Sequence, residues 1–130
     1  MGHGYFVIIG FGVVVPLSKF VDKYEELFSR EEDSEDQEDY VFNGDELREL
    51  EIAKGICIYY DEQSRLTSDS PIFVCGTNHY FADARCDSGE CQKIDVDWLG
   101  ESRSRLQKFL KQTLKVQTLP ALSTFYCEGC

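Results

Sequence analysis

An α+β domain, with a mostly antiparallel sheet and helices packed on one face, is the fold class this sequence predicts. Three observations lead to it. Runs rich in β-branched and aromatic residues alternate with stretches of helical period. At 130 residues the chain has the length of one domain, 1–130, able to bury roughly two-thirds of its unfolded surface. Hydrophobic residues make up 42 %, with 9 Phe and 7 Tyr, which excludes wholesale disorder.

The first strand is read from Val7, Ile8, Ile9, Val13, Val14 and Val15, with Gly10 and Gly12 weakening it or marking a bulge. The apolar run Tyr5 to Val15 has about the length of a signal-peptide core. No Lys or Arg precedes it, however, and it falls short of the roughly 20 residues of a membrane span. Phe6 also stands where a myristoylation signal needs Ser or Thr. The run is therefore taken as a buried strand, the protein as intracellular (cytoplasmic or nuclear), and its six cysteines as thiols or metal ligands rather than a disulfide framework.

Pro16 opens a helical pattern in which Leu17, Phe20, Val21, Tyr24, Leu27 and Phe28 share one face. Ser29 to Asp39 contains no apolar residue, so an acidic loop insertion is expected at about 30–43. DELRELEIAK then predicts a short helix capped by Asp45, with Leu47 and Leu50 inward and Gly55 in the left-handed position that ends helices. Ile56 to Tyr60 reads as a strand and Ile72 to Cys75 as another. Beyond Cys75, Gly76-Thr77-Asn78 is open to two readings, a hairpin turn or a strand continued through a bulge. Cys91 to Val96 predicts a small extra strand, and Asp97 caps a last helix with Leu99, Leu106, Phe109 and Leu110 inside. Pro120 stops that helix, and Ala121 to Tyr126 closes the sheet. The order fits a split β-α-β architecture, as in ferredoxin-like sandwiches, a topology that carries no function by itself.

The net charge of −11 is concentrated. Fourteen acidic residues lie between Asp22 and Glu51 against Lys23, Arg30 and Arg48, so this segment holds the whole excess. Such a field disfavours binding to nucleic acid or an anionic membrane, and favours a basic partner. From Ser102 to Cys127 the pattern reverses, with Arg103, Arg105, Lys108, Lys111 and Lys115 and no acidic residue.

Tetrahedral zinc needs four ligands, and Cys127 with Cys130 has the Cys-x-x-Cys spacing that aims two thiolates at one ion. Cys86 and Cys91 would complete the set, with Gly89 and Gly129 allowing the turns. A rival set of Cys75, His79, Cys86 and Cys91 works only if residues 76–78 form a hairpin turn. In a continuous strand Cys75 and His79 would stand about 13 Å apart. Redox chemistry at Cys127 and Cys130 is disfavoured, since no helix follows to stabilise a thiolate and Glu128 opposes one. Cys75, His79 and Asp83 fail as a local catalytic triad for the same distance reason. The glycine pairs near the start lack phosphate-loop spacing, and the acidic loop lacks the glycine and final glutamate of an EF-hand.

The functional expectation is a non-enzymatic interaction or regulatory module. Its acidic surface, about 22–51, carries Glu31, Glu32, Asp33, Glu35, Asp36, Glu38, Asp39, Asp45, Glu46 and Glu49 as partner-binding residues. The partner would be a basic protein, with the surface imitating nucleic-acid charge, or a second copy of the chain; neither nucleic acid nor a membrane is expected. The alternative is a small zinc-stabilised assembly subunit using Cys86, Cys91, Cys127 and Cys130. Otherwise no cofactor is expected.

Overall fold

The computed structural model describes residues 4–30, 40–61, 65–83 and 100–129. In chain order the elements are β1 (Gly4–Pro16), α1 (Ser18–Val21), β2 (Phe28–Arg30), β3 (Tyr40–Phe42), α2 (Gly44–Lys54), β4 (Ile56–Tyr59), β5 (Pro71–Asp83), α3 (Gly100–Lys108) and β6 (Ala121–Gly129). Four strands form an antiparallel sheet in the order β4-β5-β1-β6, and β2 pairs with β3 in a separate two-stranded sheet. The architecture is α+β. None of the described helices is long and apolar enough to cross a membrane.

The reading of residues 76–78 as a turn is not realised. β5 continues through them, and its register with β1 jumps so that Gly10 faces His79 while Gly12 faces Cys75. Three β5 residues therefore stand against Phe11 alone, a bulge placed where the glycines of β1 allow close approach. A Cβ on Gly12 would run into the Val74 carbonyl oxygen, so the seam between the two central strands requires glycine there.

The two faces of the sheet are closed by different means. Phe11, Val13, Val15, Ile56, Ile58, Ile72 and Val74 pack against Phe20, Leu47, Leu50, Leu106, Phe109, Leu110 and Leu114 from the helical segments. On the opposite face Ile8, Phe73, Cys75 and Phe125 form a second cluster, with Cys57 and Tyr59 beside it. Phe73 faces Val14, and Phe125 faces Ile8, six residues away along β1. On a flat sheet that separation is about 20 Å. The two rings are nevertheless stacked at 5.4 Å between centroids. The sheet must therefore curl strongly toward this face, with Gly10, Gly12 and the bulge at the bend.

The helix expected over residues 17–28 is broken into pieces. α1 is one turn, Tyr24 leaves helical geometry at φ −130° and ψ 72°, a 3-10 turn spans Glu25–Leu27, and Phe28 begins β2. The apolar period still describes what is buried, since Leu17, Phe20 and Leu27 are all in the core. Tertiary pairing overrides propensity here. Phe28 finds Phe42 at 4.6 Å and Tyr40 at 5.7 Å across the hairpin, contacts that a continued helix would forgo.

α2 starts one residue earlier than expected. Asn43 precedes it, and its side-chain amide donates to the Glu26 carbonyl at 2.9 Å rather than capping the helix, while Asp45 lies in the first turn. Gly55 does end α2 in the left-handed region, at φ 66°. α3 packs on β5 and β4 and widens into a π-helical turn over Phe109–Thr113, where the Leu114 N–H donates to the Phe109 carbonyl at 3.2 Å. That wider turn leaves Phe109, Leu110 and Leu114 all buried. The small strand expected at Cys91 to Val96, the Asp97 cap and Leu99 lie outside the described residues.

Candidate functional site

The acidic segment is attached to the core by aromatic groups. Phe28 and Phe42 pack across the β2–β3 hairpin, Phe42 stacks on Tyr60 at 4.4 Å, and the Tyr40 N–H donates to the Leu66 carbonyl at 2.9 Å. Arg30 and Tyr40 are register partners, so the stretch 31–39 leaves and re-enters the fold at neighbouring points, about 5 Å apart. Its seven expected binding residues, Glu31, Glu32, Asp33, Glu35, Asp36, Glu38 and Asp39, lie outside the described residues.

The remaining three can be placed. On α2, Leu47 and Leu50 are buried while Asp45, Glu46 and Glu49 are exposed, as a helical period of 3.6 requires. Asp45 and Glu46 occupy the first turn, where the helix dipole favours carboxylates. Glu25 and Glu26, earlier in the same acidic segment, are also exposed. Glu51, which the sequence places in the same acidic run, has a structural task instead. Its carboxylate accepts the Ile58 N–H at 2.9 Å, covering an outward backbone donor of edge strand β4.

At the other end of α2 the charge changes sign. A cleft of about 540 Å³ opens between the helix end and the α3 segment, with Lys54, Gly55, Arg105, Lys108 and Gln112 in its lining. A Cβ on Gly55 would lie 2.8 Å from Cδ of Arg105, so the Arg105 stem crosses the glycine that ends α2. Cations here offset the negative end of the helix dipole, which accounts for their position without a ligand. Higher on α3, Arg103 sits over the Phe11 ring at 5.2 Å, a cation–π contact that holds the helix to β1.

Cys57 and Cys75, the two cysteines whose apolar sequence surroundings best fit buried thiols, come together in the sheet. Cys57 and Cys75 are direct register partners across β4 and β5, and both are free thiols. Burial, followed by the charge of Glu51, pushes the Cys57 thiol up to about 11. Burial also raises Cys75, with Cys57 and Glu51 adding to the effect. Neutral thiols of this kind are poor nucleophiles and poor ligands, and both pack as small apolar groups on the curled face. No spacing rule could have paired them, because 17 residues lie between them in the chain.

Among the described residues, no group of three or more His, Cys, Asp or Glu is arranged to hold a metal. Of the expected zinc ligands, Cys127 lies in β6 as the register partner of Phe6, whereas Cys86, Cys91 and Cys130 lie outside the described residues. The rival set loses its premise, because Cys75 and His79 belong to one continuous strand. Cys75, His79 and Asp83 likewise occupy that strand and are not brought together by a turn. In comparison with known proteins, the chain matches no family model, no curated protein and no solved structure.

Proposed function

We propose that this chain is a non-enzymatic interaction module that presents the acidic segment 22–51 to a basic protein partner, imitating the charge of nucleic acid. The observation that carries the reading is the division of α2. Leu47 and Leu50 fix the helix to the core, leaving Asp45, Glu46 and Glu49 in solvent on the same segment that holds the full −11. An ordered helix holds its carboxylates at fixed spacings, so a cationic partner meets them without first ordering them. We further read the chain as one intracellular domain of split β-α-β, ferredoxin-like type. The strand order β4-β5-β1-β6 with antiparallel neighbours supports the topology.

The test is binding to an oligolysine peptide and to Lys/Arg-rich proteins at low and high salt. Neutralising the ten acidic residues, from Glu31 through Glu49, to Asn or Gln should weaken binding at least about tenfold and flatten its salt dependence. Equal affinity and an equal salt slope in the neutralised variant would remove the acidic segment from the account.

A specific placement supports the zinc reading as second. Phe6 is the register partner of both Asp83, the last residue of β5, and Cys127 of β6. The chain thus leaves β5 about 10 Å from Cys127, two strand spacings away, and Cys86 follows three residues later. Metal analysis of protein purified without chelator distinguishes the readings. Close to one equivalent of zinc, lost together with stability in chelator, supports an assembly subunit held by Cys86, Cys91, Cys127 and Cys130.

A further inference from the structure

The two edges of the four-stranded sheet are finished differently. β4 has four residues, and the Glu51 carboxylate covers its Ile58 N–H, a charged device that discourages a further strand. Among the described residues β6 has no counterpart. It runs nine residues, keeps an unbroken register with β1 from Gly4↔Gly129 to Gly12↔Ala121, and has β1 as its one strand neighbour among the described residues. Between Ala121 and Cys127 it contains no charged residue and no proline, the two commonest means of blunting an edge. The Ser123 hydroxyl donates to the Ala121 carbonyl at 2.9 Å, a local bond at the start of the strand.

Two large apolar side chains on this edge are exposed as well. Leu122 faces Phe11 and Tyr126 faces Val7, so both point to the helix-bearing side. The helix layer does not reach them, since α3 packs on β5 and β4. Leu122 is 51 % exposed and Tyr126 67 %, and exposed Thr124 lies midway between them.

We propose that β6 is a dimerisation edge, pairing antiparallel with β6 of a second copy about a two-fold axis at Thr124. An antiparallel edge is self-complementary, because a two-fold axis presents each strand's outward donors to the other's acceptors. With the axis at Thr124, Leu122 of each copy stands opposite Tyr126 of the other on the helix-bearing side, and Ser123 stands opposite Phe125 on the curled side. A second copy offers the same edge and supplies, opposite each exposed apolar residue, the cross-strand partner it lacks: Tyr126 for Leu122 and Leu122 for Tyr126. The charge of −11 per copy opposes approach at long range, and salt screens it. The dimer therefore tightens as salt rises, whereas contact between the acidic segment and a basic partner weakens.

Sedimentation equilibrium of the full chain under reducing conditions, from micromolar to millimolar concentration and at low and high salt, tests this. The expected result is a monomer–dimer equilibrium that strengthens with salt and weakens at least about tenfold in Leu122→Lys and in Tyr126→Lys. Ile52→Lys, at an exposed position on α2, should leave it unchanged. Circular dichroism checks that each variant is folded. In the wild type, β6 amide exchange should slow as concentration rises, a readout that needs no substitution. A monomer at the highest concentration, or a dimer indifferent to both β6 variants, would overturn the proposal. Neither result bears on binding by the acidic segment.

Discussion

The two faces of the sheet solve one problem, burial of a β surface, in opposite ways. One adds layers: α1, α2 and α3 cover it, and among the described residues eighteen buried ones share the load. The other bends, so that among the described residues four buried ones, Ile8, Phe73, Cys75 and Phe125, close over one another. A layered face spreads its stabilisation over many contacts and can adjust by shifting a helix. A curled face depends on backbone geometry, and rings that meet across a bend have little slack. The difference predicts where the molecule is brittle.

The largest effect should come from the bend itself. Gly12→Val places a branched side chain against the Val74 carbonyl and the Cys75 Cβ, and neither can withdraw without parting β1 from β5. A loss of about 5 kcal/mol, or failure to fold, is expected in urea unfolding; a loss under about 1 kcal/mol would mean that the seam is looser than described. Next, Phe73→Ala on the curled face should cost about 4 kcal/mol and Leu106→Ala on the layered face about 3 kcal/mol. The sharper measure is the volume-conserving pair, Phe73→Leu against Leu106→Met. The layered face should absorb its change at about 1 kcal/mol and the curled face should not.

A smaller effect distinguishes the faces by pH. Only the curled face carries the facing thiols Cys57 and Cys75, both raised above the ordinary value of 9.0 by burial. The folded protein therefore holds their protons more tightly than the unfolded chain does. The contribution of Cys57 is full below about pH 9 and is lost as pH rises through about 11, while Cys75, raised further by its deeper burial, goes on losing its contribution at still higher pH. Replacing both cysteines with Ala should flatten that alkaline slope, which equilibrium unfolding across the range would measure. The smallest effect belongs to the surface: Asp45→Asn, Glu46→Gln and Glu49→Gln together should change stability by no more than about 1 kcal/mol. A larger loss would make these carboxylates part of the fold.

Sequence pattern carried the layered face well. The apolar periods of α2 and α3 named Leu47, Leu50, Leu106, Phe109 and Leu110, and all are buried. Gly55 and the closing strand at Ala121 were equally readable, because each depends on local chemistry. The curled face was not readable, since Phe73 and Phe125 meet only through the bend of a third strand. Residues 17–28 misled for a related reason: a helical period was present, but aromatic pairing across the β2–β3 hairpin won. Within the candidate site, exposure of Asp45, Glu46 and Glu49 followed from the period of α2. The task of Glu51 did not, because it is defined by a strand that follows a turn.

The hydrogen bond from Ile58 to Glu51 has a consequence for how far copies of this molecule can grow. A sheet open at both edges could pass strand pairing from one molecule to the next without end, as fibres do. With one edge closed by a carboxylate, any chain of copies runs out after the first junction. Charge at a single residue would then decide between a discrete pair and a filament, and Glu51→Ala is the substitution most apt to turn one into the other.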